Sequence, residues 1–246
     1  MRQKICFLPE KGEILTLPIH YNHMVQAMIY NSLDNDMGDF LHDKGFAHGN
    51  RSFKMFAFSR LMGEYRIDKN EATITFVGPV SLVVTSPYSD FCNSLANGLL
   101  FKSSVRLGHA QVKVTDISLE KDLVDDEKIK INTLSPIVVY STLLRPNGRK
   151  YTCYFEPGEK DFDVIMDNNL RNKYKAFPQT EPPAEHVSIR PLKQPKLSII
   201  DYKNFIIKGY SGTFILSGPA PLLQTAVECG LGSKNSQGFG CVRVLK

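Results

Sequence analysis

The groups best suited to chemistry in this sequence of 246 residues stand in its first half: Tyr30, His42, His48 and Lys54. An imidazole titrates near neutrality and can take or give a proton. A lysine ammonium or an oriented hydroxyl can hold the negative charge that builds up in a transition state. Together these types suit proton transfer around an anionic centre. Each also has a plainer reading. Tyr30 can be half-buried on a helix, His42 can complement a helix C-terminus, and Lys54 can be a solvated strand residue. His48 falls in the polar run Phe46-Ala-His-Gly-Asn50, which reads as an exposed loop. His20 and His23 lie about a turn apart with no Cys, Asp or Glu at ligand spacing, so no metal site is expected. The five cysteines, Cys6, Cys92, Cys153, Cys229 and Cys241, form no Cys-x-x-Cys pair. They read as small core residues, not as a disulfide framework or a zinc site. No cofactor is expected.

A second feature is the run Gly230-Leu-Gly232-Ser-Lys-Asn-Ser-Gln-Gly238-Phe-Gly240. Glycines admit positive φ and let another chain approach the backbone closely. Backbone N–H groups in such a turn attract anions, and Lys234 adds charge. Ser233, Asn235, Ser236 and Gln237 offer further hydrogen-bonding groups. No Gly-Lys-Ser/Thr follows, which excludes a P-loop. Asn235 stands where Gly-x-Gly-x-x-Gly needs its third glycine, which excludes the dinucleotide fingerprint. As a bare glycine loop, the run reads most simply as a tight link between the last helix and the last strand.

The elements that would position these groups fall into two halves, 1–125 and 126–246, joined by the polar run Lys121-Asp-Leu-Val-Asp-Asp-Glu-Lys128. The spacing predicts helices over His23–Leu33 and Asp36–Lys44, the second capped by Asp36 and stopped by Gly45. It predicts a strand over Arg51–Arg60, further strands over Glu71–Val77 and Val80–Thr85, a helix over Phe91–Leu100, and a closing strand over Gln111–Ser118. In the second half, strands are expected over Ile129–Tyr140, His186–Leu192, Lys196–Ile200 and Asn204–Leu216, with a helix over Asp161–Tyr174. Arg171, Lys173 and Lys175 cluster near that helix end, where they suit contact with a polyanion or the helix dipole. Strand, proline turn, helix and glycine recur at Gly78–Leu99 and Gly212–Leu231. This internal echo points to an α+β chain of two tandem ferredoxin-like βαββαβ units. The first half carries 13 Lys and Arg against 14 Asp and Glu, the second 17 against 11. A basic second half suits a polyanion. No apolar run approaches the ~20 residues of a membrane helix, and the N-terminus lacks a secretory leader, so no membrane contact and a cytoplasmic location are expected.

The Gly-hydrophobic-Gly, five residues, Gly-hydrophobic-Gly pattern near the C-terminus resembles the signature of the CRISPR-associated repeat-processing endoribonucleases, part of the repeat-associated RNA-binding superfamily. The resemblance runs along the chain. Leu17-Pro-Ile-His-Tyr-Asn-His23, Ile29-Tyr-Asn31 and Phe40-Leu-His-Asp43 are similar to the family's first helical region. Phe53-Lys-Met-Phe-Ala-Phe-Ser59 is similar to its second strand, and Asn97-Gly-Leu-Leu100 to its helix end. The resemblance implies cleavage of precursor CRISPR RNA within each repeat, without metal, by attack of the upstream 2′-hydroxyl on phosphorus. The products would be a 2′,3′-cyclic phosphate and a 5′-hydroxyl. It implies that His42 is the general acid or base, that Tyr30 orients or activates the 2′-hydroxyl, and that Lys54 neutralises the developing charge. Arg51, Gly232, Lys234, Asn235, Ser236 and Gly238 are the expected RNA-binding residues. The 1–125 unit would cut and the 126–246 unit would grip. The expected partners are the repeat transcript and a CRISPR effector complex, with the protein a monomer or homodimer. The competing readings are a non-catalytic RNA-binding relative in a ribonucleoprotein complex, and a binder of a small anion through the glycine loop.

Overall fold

The computed structural model describes residues 1–10 and 12–245. In the first unit, β1 (Arg2–Pro9) and β2 (Ile14–Pro18) lead into α1 (Asn22–Ser32) and the short α2 (Asn35–Asp39). A π-helical turn, Phe40–Lys44, then precedes β3 (Phe46–His48), β4 (Arg51–Phe53), β5 (Ala57–Phe58) and β6 (Met62–Asp68). The unit ends with β7 (Thr73–Thr85), α3 (Ser89–Leu100), β8 (Val105–Leu107) and β9 (Ala110–Glu120). Its main sheet runs β2-β7-β1-β9-β8, with β5 and β6 added along β7. The central order β6-β7-β1-β9, all antiparallel, is that of a βαββαβ unit. On α1, Val25, Met28, Ile29 and Ser32 are buried, the spacing of a one-sided helix. They meet Ile5 and Phe7 of β1 and Phe91 and Leu95 of α3 in one core.

The chain crosses between Glu120 and Lys128 to a second sheet. This unit comprises β10 (Lys128–Thr133), β11 (Tyr140–Leu144), β12 (Lys150–Tyr154), α4 (Lys160–Ala176), β13 (Ser188–Pro191), β14 (Lys196–Tyr202), β15 (Phe205–Ser211), β16 (Thr213–Ser217), α5 (Ala220–Cys229) and β17 (Val242–Leu245). The order β13-β16-β10-β17 repeats the first unit's pattern. The hairpins β11–β12 and β14–β15 are insertions outside it. The two tandem ferredoxin-like units expected from the echo are thus present. No helix among the described residues is long and apolar enough to cross a membrane.

Several local expectations change. Asp34, not Asp36, caps α2, its Oδ1 accepting the Met37 N–H at 2.8 Å, and the helix passes into the π-turn that carries His42. The single strand expected over Arg51–Arg60 is broken at Met55, whose φ of 52° leaves the strand region. Phe46–Asn50 is not a plain loop but part of the β3–β4 hairpin. Gly78-Pro79 does not divide two strands, because β7 runs through it while exchanging one set of neighbours for another. Gly98 lies inside α3, against the Ser32 backbone of α1, whereas Gly230 ends α5 with φ 82°. The echo therefore matches in order but not in the glycine's task. Strand Ile129–Tyr140 stops at Thr133, before Pro136, and Gly212 splits Asn204–Leu216 in two.

The units are bound to each other by polar contacts. Arg2 donates to the Val242 carbonyl at 3.0 Å, and it also pairs with Asp122 of the crossing segment at 2.6 Å. Ser135 Oγ donates to the Phe58 carbonyl at 2.9 Å. The N-terminal ammonium meets Glu228 at 2.6 Å.

Candidate functional site

A cleft of about 640 Å³ opens between the units, floored by Met55, Phe56 and Cys229. One wall is β4 with Arg51 and the following Lys54, and the other is the glycine loop from Gly232 to Ser236 with Tyr140 of β11. The Met55 kink, held by Ser86 Oγ donating to the Met55 carbonyl at 2.6 Å, lifts β4 off the sheet toward this cleft. Met55 itself packs between the units against Ala176 and Cys229.

The π-turn exposes His42, whose side chain is 82% accessible. Its Nδ1 lies 2.7 Å from Asp43 Oδ1. With Nδ1 engaged by that carboxylate, the rest of the exposed ring, Nε2 included, faces solvent. Lys54 Nζ donates to the His42 carbonyl at 3.2 Å. Burial lowers the Lys54 pKa and the Asp43 charge opposes that shift. Tyr30 does not join this pair by a hydrogen bond; its ring meets Phe56 edge-on at 6.0 Å, and Phe56 lines the cleft. Burial, with Tyr202 nearby, pushes the Tyr30 hydroxyl up to about 12. His48 lies on the β3–β4 hairpin, paired in register with Arg51.

The glycine loop is gripped from both units. Asn22 Nδ2 of α1 donates to the carbonyls of Gln237 and Gly238 at 3.0 and 3.2 Å, and Gln26 Nε2 donates to that of Ser236 at 2.7 Å. From the other side, the fully buried Lys173 of α4 donates to the Gly230 and Gly232 carbonyls and to Asn235 Oδ1, at 2.7, 2.9 and 2.7 Å. The two central glycines are required by shape. Gly232 (φ 67°) would drive a Cβ into the Val138 carbonyl, and Gly238 (φ 87°) would drive one into the Phe58 ring and Asn22. Lys234 takes the left-handed conformation (φ 63°), and its ammonium stands 5.2 Å above the Tyr140 ring. Burial lowers its pKa.

Arg51, Lys54, Lys234 and Ser236 therefore share one cleft, as expected of an anion-binding surface. Asn235 is corrected. It is only 9% exposed, and its amide donates to Leu231 and Phe239 carbonyls while its oxygen accepts from Lys173, so its side chain holds the loop. Gly232 and Gly238 shape the loop. The sequence placed Lys173 in the cluster at the helix end, not in the inward stripe with Phe162, Met166 and Leu170 where it holds the glycine loop. The sequence reading missed Asn169, whose buried Oδ1 has no partner among the described residues and which lines the cleft. Gln26 carried no signal, because its role depends on a loop 210 residues away.

Two family models match successive parts of the chain. The one described as CRISPR-associated protein Cas6, N-terminal, covers residues 16–118, and CRISPR associated protein Cas6, C-terminal, covers 119–244. The CRISPR-associated endoribonuclease Cas6 1 of Methanocaldococcus jannaschii is 30% identical over 92% of this chain and 86% of its own length. The CRISPR-associated endoribonuclease Cas6 of Pyrococcus furiosus is 28% identical over 99% of this chain and 90% of its own. A solved structure from the characterisation of a Cas6-related gene of Pyrococcus furiosus superimposes with a TM-score of 0.86 over 100% of this chain and 98% of that one. At 20% identity that likeness is one of fold. Two matching models that leave only the extreme ends uncovered, together with a 30%-identical relative aligned over most of both chains, place this chain in the Cas6 family.

Proposed function

We propose that this protein is an endoribonuclease that cuts precursor CRISPR RNA within its repeats and needs no metal ion to do so. The upstream 2′-hydroxyl loses its proton as its oxygen attacks phosphorus. The bond from phosphorus to the 5′-oxygen breaks, and that oxygen takes a proton. A 2′,3′-cyclic phosphate and a 5′-hydroxyl result. Because the substrate brings its own nucleophile, the protein must move two protons and hold one growing negative charge. His42, with Nε2 open to solvent, is the proton-transfer group. Lys54 supplies the charge. Tyr30, kept protonated by burial, serves as a hydrogen-bond donor that orients a substrate oxygen, not as a base. Arg51, Lys234 and Ser236 contact the strand.

The observation that carries the reading is that Lys54, which lines the cation-lined cleft, donates to the backbone carbonyl of His42. The relatives' names as endoribonucleases support it. The test is incubation of the purified protein with the repeat RNA of its own array in EDTA, followed by end-group analysis. Cleavage should proceed, and a single 2′-deoxyribose at the cut should block it. His42→Ala should slow cutting by at least about 100-fold with RNA affinity largely kept. A requirement for a divalent ion, or indifference to the deoxy substitution, would sink the mechanism. Full activity of His42→Ala would move the proton transfer to His48. Tight binding without cutting would favour a non-catalytic subunit of a ribonucleoprotein complex.

A further inference from the structure

The inserted hairpins β11–β12 and β14–β15 enclose a second cavity of about 660 Å³ that the proposed reaction does not use. It continues from the cleft, because Tyr140, Thr142 and Lys234 line both. Register sets Tyr140 opposite Tyr154, and opposite residues of an antiparallel pair share a face. Their rings stand 5.9 Å apart at 49°, each half-buried against the small core that contains Val138 and Phe239. The Tyr154 hydroxyl donates to the Ile206 carbonyl at 2.9 Å and ties the two hairpins together. Across the groove stands Phe205, 73% exposed. It follows a two-residue turn in which Lys203 and Asn204 both take positive φ, the tight hairpin type, with the Asn204 N–H donating to Asp201 Oδ1 at 2.9 Å. The phenyl ring is thus presented to water on a rigid tip. Lys208 and Lys234 add charge, and among the described residues no carboxylate lines the groove.

We propose that this groove binds an unpaired stretch of the repeat RNA as it leaves the cleft, with bases stacked on Tyr140, Tyr154 and Phe205 and phosphates beside Lys208 and Lys234. The inference rests on the repeat-RNA reading of the cleft. Aromatic faces alternating with cations suit splayed single-stranded bases, whereas bases inside a duplex keep their faces against each other. The absence of lining carboxylates favours a polyanion over a basic peptide.

Fluorescence anisotropy with repeat RNA tests it, using the full chain and its Phe205→Ala and Phe205→Trp variants. Phe205→Ala should weaken binding about ten-fold, the scale of one lost stacking contact. Phe205→Trp should stay within about two-fold of wild type, since indole also stacks. The salt dependence should not change, because no charge is removed. Binding of a blunt RNA duplex should be the same for all three proteins. Phe205→Ala affinity equal to wild type, or an equal loss on the duplex, overturns the groove while the repeat-RNA reading stands. Failure of the wild type to bind repeat RNA overturns both.

Discussion

On α4, Phe162, Met166, Leu170 and Lys173 share the buried stripe, so a lysine stands where the period calls for an apolar side chain. An ammonium has three donors, and all three are used on oxygens of the glycine segment. Burial lowers the Lys173 pKa to about 8 from 10.5, with Cys229 opposing the shift. The folded chain therefore gives up this proton before the unfolded chain does, so between those values its contribution to stability rises with pH. Lys173→Met should cost about 2–4 kcal/mol at pH 7, because three buried acceptors lose their donor. The gap between wild type and variant should widen by about 1 kcal/mol from pH 7 to pH 9. Urea unfolding at the two pH values measures both, and a gap that is absent or narrows would contradict the assignment. The thiols of Cys92 and Cys241, pushed up by burial to about 11 and 12, run the opposite way, but both proteins carry them. A neutral amine has only two donors, so RNA affinity should fall over the same interval as one loop oxygen loses its partner. His42 and Lys54 stand out as candidates through the resemblance of their motifs, and Lys234 through the glycine run it sits in. Lys173 does not, because a lysine in a last helical turn reads equally well as a partner of the dipole. Only the packing of that turn against the glycine loop decides.

The glycine loop behaves as an element in its own right, held by Asn22 and Gln26 of the first unit and by Lys173 of the second. Its conformation is over-determined, so a single added methyl should be costly. Gly238→Ala would need left-handed backbone and would press on the Phe58 ring and on Asn22, which itself takes a 2.5 Å hydrogen bond from Arg60. The expected loss is about 2–4 kcal/mol, or roughly 5–15 °C in Tm for a chain of this length. Differential scanning calorimetry reads it; a shift under about 2 °C would mean that the loop yields freely. The same contrast explains which elements the sequence announced. Helices α1, α3 and α4 have one-sided apolar spacing and were found within a few residues. The β3–β4 hairpin and the kink at Met55 were hidden, because Arg51–Arg60 alternates as a strand should and nothing local shows that Met55 turns toward the second unit. The β11–β12 hairpin was also missed, although Pro146-Asn147-Gly148 is turn chemistry between its strands.

At the scale of the whole molecule, the charge of +5 is concentrated in use rather than spread evenly. Arg51 and Lys54 come from one unit and Lys234 from the other, so the cation set proposed to hold phosphate is complete only while the units stay docked. The Arg2 contact to Val242 and the Asn22 clamp fix that docking. A bound strand neutralised in this way releases counterions in proportion to the phosphates contacted, with a log–log salt slope of about −0.7 per contact on single strands. Arg51→Ala and Lys234→Ala should therefore each flatten the slope by roughly 0.7–1 while weakening binding to all sequences alike. Lys113→Ala, on an exposed β9 position that lines neither cavity, should leave the slope unchanged. Lys173→Met should weaken binding without altering the slope, since its ammonium is spent on the loop and reaches no phosphate. Anisotropy titrations across a salt series separate these cases. If Lys113→Ala flattened the slope as much as Arg51→Ala does, the RNA would be spread over the charged surface at large. The two-walled cleft would then be a geometric accident, not the site where the strand lies.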